Sequence, residues 1–145
     1  MTDINEIAKY VKLNTRNKIV FCHKDIDEIT FVNVGLILSQ LLTDEEKIAN
    51  SYQLLCNNIL NYHLCNEVIG DYIAIENIGI LFEPELKFDL RNIFESFSRN
   101  VCLIIKSDAE IIDHKFYFLT HDDLFYITFF FKVKNYHRKS IIHAK

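Results

Sequence analysis

Short runs that are apolar throughout alternate along the chain with longer stretches in which apolar residues return every three or four positions, and that alternation predicts its elements. Ile4, Ile7, Ala8 and Val11 share one side of an N-terminal helix. Lys18 to Cys22 (KIVFC) reads as a buried strand, followed after a polar connection by a second strand at Thr30 to Asn33. GLILSQLL, residues 35–42, is apolar nearly all round and predicts a buried helix. Thr43 and Glu46 form a capping box, and Ile48, Tyr52, Leu55, Ile59 and Tyr62 then recur at helical intervals, so one helix is expected to run to about His63. YIAIENIGILF, residues 72–82, is the most hydrophobic strand candidate, continuous as in a parallel strand covered on both faces. Asp89 caps a helix whose stripe is Leu90, Ile93, Phe94 and Phe97. Val101 to Lys106 (VCLIIK) is a further buried strand, and HKFYFLT and LFYITFFFKV, joined by the turn HDD, give two more. This order predicts an α/β fold with a mostly parallel sheet and an antiparallel edge hairpin at the C-terminus.

With 145 residues, half of them hydrophobic, and one proline, residues 1–133 are expected to form a single α/β domain, followed by a basic C-terminal tail, 134–145. No run of about 18 apolar residues occurs and the N-terminus is polar, so no membrane contact and a cytoplasmic location are expected. Cys22, Cys56, Cys65 and Cys102 lack metal-binding spacing and read as reduced, buried thiols. Net charge is −4, yet from Lys132 onward there are five Lys or Arg and no acid, against 11 basic and 20 acidic residues before it. The body should repel nucleic acid, and only the tail, through Arg138 and Lys139, offers it a weak contact.

A hydrophobic strand ending in an acid is how many nucleoside triphosphatases present a carboxylate to Mg²⁺, and Glu76, followed by Asn77, holds that place. FVNVGLILSQLL, then YIAIENIGILFEPELKFDLRNIFESFSRNVCLII, then FYFLTHDDLFYI resemble the small P-loop proteins of BREX-type phage-defence systems, the BrxF-like family. The matching positions are Asn33, Leu38, Ser39, Leu41, Leu42, Asn77, Leu81, Phe82, Pro84, Leu86, Lys87, Asp89, Ser98, Arg99 and Asn100, within Phe31 to Ile127. The resemblance implies a P-loop/Rossmann-like three-layer domain and a role among the protein subunits of a defence complex, with Ser98, Arg99 and Asn100 as interaction candidates. A homo-oligomer is compatible with it. The chain departs from the family after its first strand. A phosphate cradle needs closely approaching backbone N–H groups, a Lys and a hydroxyl, whereas HKDIDEI has no glycine and sets Asp25, Asp27 and Glu28 against Lys24. The Walker A loop is missing, and the metal-strand Asp is Glu76. The expectation is a pseudo-NTPase without cofactor or catalytic residues.

The same stretch also resembles the first motif of DHH-type phosphoesterases. That resemblance implies a metal site built from His23, Asp25, Asp27, Glu76 and Asp113, in which two metal ions would clamp a phosphodiester and activate water. Asp71 with Glu85 and Lys87 resembles the acidic pattern of restriction-type nucleases, but Pro84 argues against a central strand there.

Overall fold

In a computed structural model, the chain is described over residues 4–13, 17–108, 110–112, 115–117, 126–128 and 134–136. The elements are α1 (Ile4–Val11), β1 (Ile19–Cys22), β2 (Val32–Asn33), α2 (Val34–Leu41), α3 (Glu45–Ala49), α4 (Ser51–Leu55), a π-helical turn (Cys56–Leu60), β3 (Leu64–Asn66), β4 (Gly70–Glu76), two 3₁₀ turns (Ile78–Phe82 and Pro84–Leu86), α5 (Leu90–Phe97), β5 (Cys102–Lys106), β6 (Glu110–Ile112), β7 (Lys115–Tyr117), β8 (Tyr126–Thr128) and β9 (Lys134–Tyr136). The main sheet has the order β2-β4-β5-β1-β9 and is parallel along that path, with β3 added antiparallel to β4. This is a small α/β domain.

Its central strands are apolar through their buried stretches, residues 19–22, 72–75 and 102–105, because both faces are covered there. Ile19, Phe21, Ile73, Ile75, Leu103 and Ile105 pack on one side with Leu38, Leu55, Ile59, Ile93, Phe94 and Phe97. Val20, Cys22, Tyr72, Ala74, Cys102 and Ile104 face the other way, against Ile7, Ala8 and Tyr10 of α1 and against Ile26 and Ile29 of the connection after β1. That connection can be short because β2 is a two-residue stub paired only with Ile75 and Glu76. The chain leaves β1 and enters β2 at the same edge of the sheet, so no helix is needed to carry it back. Among the described residues, no helix is long and apolar enough to cross a membrane.

Several expectations are corrected. The helix of GLILSQLL is not buried all round: only Val34 and Leu38 are buried, and Leu36 is 52% exposed. The helix expected from Thr43 to about His63 is broken at Asn50 and ends in a π turn. Its cap is Asp44, whose Oδ1 accepts from Lys47 N at 2.8 Å, and Tyr52 and Tyr62 are exposed. The hydrophobic run 72–82 is a strand only to Glu76. HKFYFLT and LFYITFFFKV contribute β7 and β8, which do pair antiparallel, but in a separate sheet β6-β7-β8; the edge of the main sheet next to β1 is the parallel β9. Cys22 and Cys102 are buried thiols as expected, whereas Cys65 is exposed and Cys56 half-buried.

Candidate functional site

Parallel pairing brings the ends of β1, β5, β4 and β2 to one edge, the carboxyl edge, where ligands of open α/β sheets bind. The register aligns Cys22 with Lys106, Ile75 with Ile105 and Asn33 with Glu76. Strand-terminal charges therefore meet there. Lys106 Nζ lies 2.5 Å from Asp25 Oδ1 and 2.8 Å from Glu76 Oε1, and 5.2 Å from the centre of the Phe31 ring. Asp25, then Glu76, raise the pKa of the ammonium above its ordinary value, so it stays charged. One cation thus sits between two carboxylates, with an aromatic face beside it.

The helix end at this edge is closed as well. The first backbone N–H groups of a helix form a natural anion site when they lack partners. In α2, Leu36 N donates to Asn33 Oδ1 at 2.9 Å and Gly35 N donates to the Asn77 carbonyl at 3.0 Å. Asn77, with a left-handed backbone (φ 53°), also donates from Nδ2 to Asn33 Oδ1 at 2.8 Å. Two asparagines therefore take the place an oxyanion would need.

Of the residues expected to hold metal, Asp25 and Glu76 converge, but on an ammonium group. His23 Nδ1 lies 3.2 Å from Asp108 Oδ1, and Asp27 is exposed. Among the described residues, no group of three or more His, Cys, Asp or Glu side chains could hold a metal ion. Asp113, Arg138 and Lys139 lie outside the described residues. Pro84–Leu86 is a 3₁₀ turn, so Glu85 does not stand on a strand as the nuclease pattern requires.

Ser98, Arg99 and Asn100 lie at the opposite, amino edge, where they line a cleft with Asn17, Lys18 and the starts of β4 and β5. Ser98 is the C-cap of α5 and is 2% exposed; its Oγ donates to the Phe94 carbonyl at 2.7 Å.

Sequence reasoning missed Lys106 and the contact between Asn33 and Asn77. Both were findable, since polar residues that end adjacent parallel strands must share an edge. Comparison with family models, curated proteins and solved structures finds no match.

Proposed function

We propose that this chain is a non-catalytic interaction subunit of a bacterial antiviral complex, a P-loop-like domain that has lost nucleotide binding and works in the cytoplasm by contacting other protein subunits. The observation that carries the reading is the occupation of the carboxyl edge by the chain's own groups. Lys106, the cation at that edge held between two acids, is neutralised by Asp25 and Glu76, and the N–H groups that open α2 are bonded to Asn33 and Asn77. A triphosphate would have to displace two carboxylates from Lys106 and approach a loop carrying Asp25, Asp27 and Glu28 with no glycine to let it near the backbone. The assignment to phage defence rests on the family resemblance alone, which spans Phe31 to Ile127 and is most specific over residues 82–100.

The test is calorimetric titration and thermal melting with Mg²⁺ and ATP. A ligand present at about 100 times its Kd stabilises by about 2.7 kcal/mol, several degrees for a domain of this size. No heat of binding and no shift are expected. Saturable ATP binding would end the proposal.

A further inference from the structure

The end of α1, the Asn17–Lys18 turn, the starts of β4 and β5 and the C-terminal end of α5 enclose a cleft of about 650 Å³ at the amino edge, within the size range of ligand sites. Val11, Ile69, Val101 and Cys102 supply its apolar lining, while Lys18, Arg99, Asp71 and Glu95 bring two charges of each sign. Most of its polar groups are already engaged. Asn17 Nδ2 donates to the Glu95 carbonyl at 2.8 Å and to Ser98 Oγ at 3.1 Å, so the Glu95 carbonyl near the end of α5 is satisfied without the Arg99 side chain. The Lys18 ammonium donates to the Leu13 carbonyl and lies over the Tyr10 ring, 5.6 Å from its centre. Asp71 accepts from the Cys65 thiol. The Arg99 guanidinium and the Glu95 carboxylate remain as the charged side chains of the cleft with neither an ion pair nor a hydrogen bond among the described residues. Leu13 and Val68, 49% and 43% exposed, stand close in sequence to the lining residues Val11 and Ile69.

We propose that this cleft receives an extended segment of a partner protein that sets an acidic side chain on Arg99 and a basic one against Glu95. This deepens the interaction-subunit reading and rests on it. A polyanion does not fit, because Asp71 and Glu95 would stand beside its charge. An apolar lining with a guanidinium free for a bidentate carboxylate is the composition of a protein–protein anchor. Residues two apart on an extended chain share a face, so one short segment can present both charges.

The test titrates the ¹⁵N-labelled full chain with the blocked peptide Ac-Ala-Glu-Ala-Lys-Ala-amide at millimolar concentration and follows the backbone amide shifts. Saturable shifts are expected at Asn17 and at residues 98–102. A peptide with Gln in place of Glu and Lys should not produce them. Arg99→Ala should keep the wild-type melting temperature and bind about tenfold more weakly, the equivalent of one charge-assisted bond. The proposal is overturned if no saturable shift appears at those amides, if the Gln peptide acts equally, or if Arg99→Ala binds as wild type. Shifts at the same amides on raising protein concentration without peptide would overturn it too, by making a second copy the occupant. Binding of Mg²⁺ and ATP would instead shift residues 23–36, 76–77 and 106, refuting the loss of nucleotide binding at the other edge.

Discussion

Replacing Gly35 by alanine sets helix propensity against a contact at the carboxyl edge. Gly35 is the second residue of α2, and alanine in a helix is favoured over glycine by about 0.5–1 kcal/mol, less in a first turn. Here a Cβ would stand 2.4 Å from Asn77 Nδ2, 2.8 Å from its Cγ and 3.0 Å from its carbonyl oxygen. The Asn77 side chain cannot swing away without losing its bond to Asn33 Oδ1. Its backbone cannot retreat without losing the bond from Gly35 N. Each bond contributes about 0.5–1.5 kcal/mol, and disturbing the Asn33 cap adds a comparable cost. Gly35→Ala should therefore destabilise by about 1–2 kcal/mol net, a fall in melting temperature of roughly 3–6 °C, read as a lower urea midpoint at unchanged slope. In an Asn77→Gly background the two closest contacts vanish and the same substitution should be nearly neutral. A Gly35→Ala chain as stable as wild type, or an equal loss in both backgrounds, would refute the reasoning.

At the same edge, Lys106→Met should cost about 1–2 kcal/mol in urea unfolding because Glu76, whose side chain is 28% exposed, loses its partner, and adding Glu76→Gln should recover most of it. Asp25 lies closer to Lys106 and does more to raise its pKa, yet its side chain is 79% exposed and screened, so Asp25→Ala should cost under about 1 kcal/mol; an equal loss would show that exposure is the wrong guide. Burial pushes the Cys22 and Cys102 thiols up to about 12 from 9.0, and Lys106 titrates above 10.5. In each case the folded chain keeps a proton that the unfolded chain sheds, so stability should fall as pH rises past 9.0, first through the thiols and then through Lys106. A melting temperature that is flat across that range would contradict the burial of the thiols. Iodoacetamide should label Cys65 in the folded chain while Cys22 and Cys102 react only in denaturant, and Asp71→Asn should speed Cys65, whose thiol is raised first by its hydrogen bond to Asp71.

What the sequence revealed follows from how local each signal is. The N-terminal helix was legible from its stripe and the Asp89 helix from cap and stripe together, because these signals lie within a few residues. The central strands were legible because burial on both faces leaves residues 19–22, 72–75 and 102–105 continuously apolar. The long helix after Thr43 was misread since its spacing of apolar residues persists through Asn50, where the helix breaks, and nothing local marks that break. The edge of the sheet was misread because strand order is not a local property. Nothing in Lys134 to Tyr136 announces that it pairs with Val20 to Cys22 from more than a hundred residues away. Of the site, Glu76 was placed correctly at the end of its strand, but its partner was not seen. A lysine ending VCLIIK looks like a residue leaving the core until the register sets it beside Glu76.

A parallel sheet does not choose whether its carboxyl edge binds anything. It gathers strand ends, helix N-termini and the loops between them, and these carry unsatisfied donors and strand-terminal charges that must find partners somewhere. A nucleotide-binding domain leaves those groups open and lets phosphate and Mg²⁺ complete them. In this chain they are completed from within. The two-residue β2 lets the loop after Cys22 stay at the edge, and so brings Asp25 to Lys106. The left-handed turn at Asn77 carries its carbonyl and amide onto Gly35 and Asn33. Cation and helix end are thus satisfied together, by residues from three separate segments. Undoing one leaves the other in place: Asp25→Ala frees part of Lys106 but opens no N–H group, and Asn77→Gly removes a side chain but leaves the carbonyl that holds Gly35 N. Opening an anion site would therefore take changes in at least two segments at once, which is why single substitutions at this edge should change stability without creating nucleotide binding.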